Sequence, residues 1–278
     1  MKNERGGTST HDSSMTLGVS EAVHEVRLFE DLRAMSAAAA DHVSQVALDA
    51  VRTHGRFAIA LSGGNTPRPL YALLAKEPHA SRIPWDVVHV FWGDERCVPL
   101  DRPDNHYTMA SDLFLSKVPI PDANIHRMRG EASDPKDAAR EYESELHSFF
   151  GPEKADFPRF DLVLLGLGDD GHTASLYPGA EGLKKFSRLV VAHYVPQRSQ
   201  YRITLTYPVI NNARQICFLV VGKEKSQALR SVLRLETAEP MVPAHGIKPI
   251  DGKIVWFVDQ GAVSLIRGDV DHPFEQRR

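Results

Sequence analysis

Short apolar runs alternate along this chain with stretches whose apolar positions recur at helical spacing. "FEDLRAMSAAAADHVSQVALDAVRTHG" (29–55) is Ala-rich with apolar residues three and four apart, which predicts a helix ended by Gly55. "RFAIAL" follows as a buried strand, and "SGGNTPRPLYALLA" turns through paired glycines into a helix with Pro67 near its first turn. The same alternation continues. "WDVVHVFW" predicts a strand, "DPKDAAREYESELHSFFG" a helix and "FDLVLLG" a third strand. "RLVVAHY", "YRITLTYP", "QICFLVVG" and "KIVWFVD" predict further strands, with a helix at "KEKSQALRSVL".

Continuous Val, Leu and Ile runs alternating with helices predict an α/β protein built on a mostly parallel sheet with helices on both faces. Such sheets bind ligands beyond the carboxyl ends of their strands. "SGGNTP", "GDER", "GDDGHT" and "GKEK" each directly follow a predicted strand, so the four polar segments are expected to converge on one edge. No internal repeat and no linker interrupts the series. The opening "MKNERGGTSTHDSSM" is rich in Ser, Thr and Gly and lacks the apolar core of a secretory signal. We therefore expect a disordered N-terminal tail over 1–20 and a single domain over 21–270.

Composition narrows the classes of function. The charged fraction of 25% and hydrophobic fraction of 42% are ordinary for a soluble globular chain, and a net charge of -3 argues against non-specific nucleic-acid binding. No apolar run approaches the length of a membrane span. Two cysteines, Cys97 and Cys217, are too few for a disulfide framework, which points to a reducing, cytoplasmic setting.

The chemistry concentrates in "DLVLLGLGDDGHTASLYP". Gly166, Gly168 and Gly171 have the G-x-G-x-x-G spacing of a dinucleotide loop, but that reading also needs an acidic residue about 20 positions on to hold the ribose. None occurs from Gly182 through Lys223; Lys184, Lys185, Arg188, Arg198, Arg202, Arg214 and Lys223 stand there instead. An anionic ligand suits them better than a neutral diol. In "SGGNTP", Gly63 and Gly64 can turn N–H groups toward one point, and Asn65 and Thr66 add side-chain donors, forming an anion cradle. No Walker A loop, nucleophile elbow or H-E-x-x-H helix occurs. What remains is His172, just past a strand end, with Asp170 near enough to orient it and Thr173–Leu176 resembling a helix start whose N–H groups face a developing oxyanion. General-base catalysis on a small phosphorylated molecule, with neither a covalent intermediate nor a metal or other cofactor, fits these residues.

At "LSGGNTPRPLY", "FWGDERCVP", "DNHYTMA", "LGLGDDGHTASLYPG", "RITLTYPVINNA" and "GKEKSQAL" the chain resembles the 6-phosphogluconolactonase family from about Leu28 to Val263. The resemblance implies a Rossmann-like, sugar-phosphate isomerase-like fold and hydrolysis of a sugar-phosphate lactone in the pentose phosphate pathway. It implies His172 as the base that activates water, with Asp170 beside it. Asp94, Arg96, Arg202, Lys223 and the loop Gly63, Gly64, Asn65 and Thr66 are implied around the substrate and its phosphate. The partner is then a small molecule, and the chain a monomer or small homo-oligomer. The aminosugar-phosphate isomerase branch carries "GHIAFNEP" where this chain has "GHTASLYP", and with it a second carboxylate near the histidine. A non-catalytic sugar-phosphate sensor is the alternative from another class.

Overall fold

The computed structural model describes residues 13–19, 22–151, 157–233 and 242–266. In chain order these form β1 (Ser13–Val19), β2 (Ala22–Phe29), α1 (Leu32–His54), β3 (Phe57–Leu61), α2 (Arg68–Leu74), α3 (His79–Arg82), β4 (Val88–Trp92), β5 (Asp94–Arg96), α4 (His106–Leu113) and α5 (Pro135–Phe150). Then follow β6 (Leu162–Gly166), β7 (Val190–Val195), β8 (Gln200–Leu205), α6 (Tyr207–Asn211), β9 (Gln215–Val220), α7 (Ser226–Leu233) and β10 (Lys253–Asp259).

Local chemistry sets the element ends. Asp31 caps α1 by accepting from the Ala34 N–H at 2.7 Å. At the other end Gly55, at φ 80°, turns its N–H back onto the Val51 carbonyl. Along α1 the buried Met35, Ala39, Val43, Ala47 and Ala50 form an apolar stripe, and the helix packs on β10, β2 and β3. α5 packs on β7 and β8, while Phe149 and Phe150 at its end meet Phe91 of β4.

The main sheet has the order β1-β2-β10-β9-β6-β3-β4. All its pairs are parallel except β1 with β2. β3, β6 and β9 are buried along almost their whole lengths, which is why their sequences are continuous apolar runs and do not alternate. From β3 the chain passes outward to β4 and then returns to the other side of β3 as β6. This reversal opens a crevice at the carboxyl ends of β3 and β6, the place where open α/β sheets hold ligands.

Three expectations are corrected. "RLVVAHY" and "YRITLTYP" are strands, but as β7 and β8 they join β5 in a separate antiparallel sheet of order β5-β8-β7. A tight link at Pro196–Arg198 joins them as an antiparallel hairpin. Within "WDVVHVFW", Trp85–Val87 is a turn of 3₁₀ helix and the strand begins at Val88. The tail expected over 1–20 is interrupted by β1, whose Met15, Leu17 and Val19 alternate in sequence with Thr16 and Gly18 and whose backbone pairs antiparallel with β2. Residues 1–12 and 20 of that tail lie outside the described residues.

Candidate active site

The four polar segments meet. Ser62–Pro67 after β3, Asp94 and Arg96 after β4, Gly168 and His172 after β6, and Glu224 and Lys225 after β9 line one cavity of about 320 Å³, with Arg202 entering from β8. Gly63, Gly64, Asn65, Thr66, Asp94, Arg96, Arg202 and His172 are thus brought together as expected.

At the center of one wall the His172 Nδ1 lies 2.5 Å from Asp170 Oδ1. Burial alone would raise the Asp170 carboxyl, but hydrogen bonds from the His172 side chain and backbone outweigh it, with Arg198 assisting, and hold the group below its ordinary value. Asp170 is therefore an anion that only accepts, so in the neutral ring the proton sits on Nδ1 and the Nε2 is the basic position. The backbone enforces the pairing. A Cβ on Gly168 would stand 2.0 Å from His172 Nδ1, so the ring occupies space that only glycine leaves open. On its face His172 stacks against Tyr177, ring centroids 4.0 Å apart and planes 19° from parallel.

The stretch after His172 is not a helix start. Ala174 takes φ 47° and Thr173 bridges to Leu176 in a tight turn. Three donors of this stretch are already used: His172 N–H donates to Asp170, Ser175 N–H to Thr204 Oγ1 and Leu176 N–H to the Thr173 carbonyl. Pro178 and Gly179 close off any helical continuation. The buried Ser175 hydroxyl donates to Asp94 Oδ2 at 2.6 Å, tying this turn to β5.

Across the cavity stand the cations. Arg202 is 6% exposed, and its Nε has no hydrogen-bond partner. Burial lowers its guanidinium from the ordinary range, Asp94 opposes the shift and Arg96 adds to it. Arg96 donates to the Asp104 carbonyl at 3.0 Å while its own Nε is also unpartnered. Two neighboring guanidiniums with free donors form a fork suited to a phosphate or carboxylate. Below them Glu95 is fully buried, and burial raises its carboxyl even though the N–H groups of His106, Arg96 and Tyr107 donate to it. By accepting the first two N–H groups of α4 it ties the start of that helix to β5.

Lys223 does not line the cavity; Lys225 does. Gly222, at φ 104°, starts a 3₁₀ turn over Lys223–Lys225 in which successive side chains diverge, and the Lys223 backbone packs at the Gly261 turn. The sequence reading also passed over His106, whose Nδ1 lies 3.0 Å from the Asp94 carbonyl and whose ring fills the space beside Gly63. Its signal was Asn105, an N-cap residue placing His106 at the first turn of α4. Cys97 is not an activated thiol: burial and Glu95 push it up to about 12. Among the described residues no group of three or more His, Cys, Asp or Glu is placed to hold a metal ion.

Comparison with known proteins places the chain in a family. The family described as glucosamine-6-phosphate isomerases/6-phosphogluconolactonase matches residues 30–256. Over 218 residues the chain is 46% identical to a 6-phosphogluconolactonase of Synechocystis sp., covering 78% of this chain and 88% of that one. It is 37% identical over 208 residues to a 6-phosphogluconolactonase of Haemophilus influenzae, covering 75% and 87%. The solved 6-phosphogluconolactonase of Trypanosoma brucei is 27% identical with a TM-score of 0.77, over 87% of this chain and 98% of that one. A monomeric glucosamine-6-phosphate deaminase at 22% identity and a TM-score of 0.70, over 86% and 99%, shares the fold. The chain belongs to the glucosamine-6-phosphate isomerase/6-phosphogluconolactonase family.

Proposed function

We propose that this chain hydrolyzes 6-phospho-D-glucono-1,5-lactone to 6-phospho-D-gluconate, with His172 as the general base. The observation that carries the reading is His172, paired with Asp170, lining one cavity with a glycine loop and two arginines with unpartnered donors. The Ser62–Thr66 loop, Arg96, Arg202 and Lys225 take the phosphate, and Asp94 braces the turn behind His172 through Ser175. With the substrate so anchored, the Nε2 of His172 removes a proton from a water as its oxygen adds to the lactone carbonyl carbon. The tetrahedral adduct collapses, the bond from that carbon to the ring oxygen breaks, and the imidazolium returns the proton to the departing oxygen. Asp170 keeps the ring in the tautomer this requires and faces the imidazolium with a negative charge.

No group in this scheme forms a bond to the substrate, and no ion is needed to activate the water. A positioned base supplies about 10² to 10⁴ in rate, enough for an ester that already opens slowly in water. The test is a coupled assay corrected for spontaneous hydrolysis. His172→Ala is expected to fold as the parent does and to lose about 10² to 10⁴ in kcat; full activity in the purified variant would sink the assignment. Turnover of glucosamine 6-phosphate in place of the lactone would favor the isomerase branch. The flat packing of Tyr177 on His172 weighs against that branch, since it occupies a side from which a second carboxylate would shuttle the proton.

A further inference from the structure

We infer that Tyr177 is a positioning residue for His172: its ring, and not its hydroxyl, fixes the plane of the imidazole and so keeps the Nε2 aligned for the reaction. The inference rests on the reading of His172 as the base. Three contacts confine the imidazole. Asp170 holds the Nδ1 at 2.5 Å and thereby sets the tautomer. Gly168 admits the ring edge so closely that a Cβ there would overlap the Nδ1 and Cε1. Neither contact stops the ring from tilting about the Nδ1 hydrogen bond. Tyr177 does, since its face lies against the imidazole at 4.0 Å and 19°.

Tyr177 is itself buried and backed by a hydrogen-bonded turn. It is 5% exposed and follows a turn pinned at both ends, by the Thr173 hydroxyl on the Gly166 carbonyl at 2.9 Å and by the Ser175 hydroxyl on Asp94. The Tyr177 carbonyl in turn accepts from the Ala180 N–H at 3.0 Å. A stacked aromatic face is also electron-rich, so it favors the imidazolium formed when the base takes its proton. The phenol oxygen has no part in this, and no hydrogen bond involving it occurs among those of the described residues.

The experiment compares Tyr177→Phe, Tyr177→Leu and the unbranched Tyr177→Met, reading kcat and KM for the lactone and ¹³C relaxation of the His172 ring in the ligand-free protein. Phe is expected to keep kcat within about twofold of the parent. Leu and Met are expected to lose about tenfold in kcat with KM little changed, and to show a more mobile His172 ring; aromatic stacking of this kind is worth about that factor. Should Leu not fold, Met and the ring relaxation of Phe still decide the matter. Parent-like kcat and ring relaxation in Leu or Met would overturn the inference, as would a loss in Phe equal to that in Met, which would assign the effect to the hydroxyl. The ring relaxation is independent of which reaction occurs, so a failure of the lactonase reading, seen in His172→Ala, is separable from a failure here.

Discussion

Arg202 holds a full charge with its Nε buried and unpartnered, a condition that an anionic ligand relieves. On the proposed reading, Arg202→Ala raises KM by about 10- to 100-fold, the range of a charge-assisted hydrogen bond, and leaves kcat closer to the parent than His172→Ala does. Steady-state kinetics on the lactone separates the two. Lys225 and Lys223 give a sharper contrast, because only Lys225 lines the cavity. Lys225→Ala is expected to raise KM in the same sense, whereas Lys223→Ala should stay within about twofold, as surface substitutions do; the reverse ranking would restore the sequence-based choice. At this scale the sequence was informative about type and not about direction. His172 and Asp170 were legible because they sit two residues apart in one turn, where chain geometry alone keeps them close. Lys223 was not separable from Lys225, since a left-handed glycine decides which of the two faces inward.

The glycine loop after β3 and the turn after β6 are the elements that shape the cavity. The loop leans on α4 at one point: a Cβ on Gly63 would lie 2.0 to 2.2 Å from three atoms of the His106 ring, which is buried and held by the Asp94 carbonyl. Neither partner can yield cheaply. Gly63→Ala is expected to lower stability by about 1 to 3 kcal/mol, as overpacking does, and to raise KM by displacing the loop. Urea unfolding and kinetics on one preparation check both. The strands and helices bounding these loops were legible because burial on both faces writes continuous apolar runs and capping residues act locally, as at Asp31 and Gly55. The turn at Thr173–Leu176 misled because "HTASL" satisfies the local preferences of a helix start, while Ser175 is claimed by Asp94, 81 positions away.

Taken whole, the molecule carries partly buried histidines that its mechanism does not use, and they contribute to its acid sensitivity. Burial, then Arg27 and Lys253, lower His42 from 6.5 to about 4, Glu25 opposing; burial, His126 and Arg56 lower His89 likewise to about 4. Above pH 6.5 both rings are neutral folded or unfolded. As pH falls from 6.5 toward 4 only the unfolded chain takes up these protons, so stability is lost through that window, His42 alone accounting for up to about 3 kcal/mol. Urea midpoints at pH 7.0 and 4.5 measure the loss, and His42→Gln should reduce it; a midpoint independent of pH would contradict the assignment. The same distinction between near and far governs what could be read in advance. By itself the sequence determined most of the core strands and the long helices, the α/β class, the placement of four polar segments after strands and the His172–Asp170 pair, because periodicity, caps and turns act over a few residues. Only the tertiary structure decided that β5, β7 and β8 form a second sheet, that Arg202 crosses from it into the cavity, and that His106, Tyr177 and Lys225 complete the walls. Those outcomes depend on strand order and on packing between segments far apart in the chain, and no local pattern encodes which distant surface a side chain will meet.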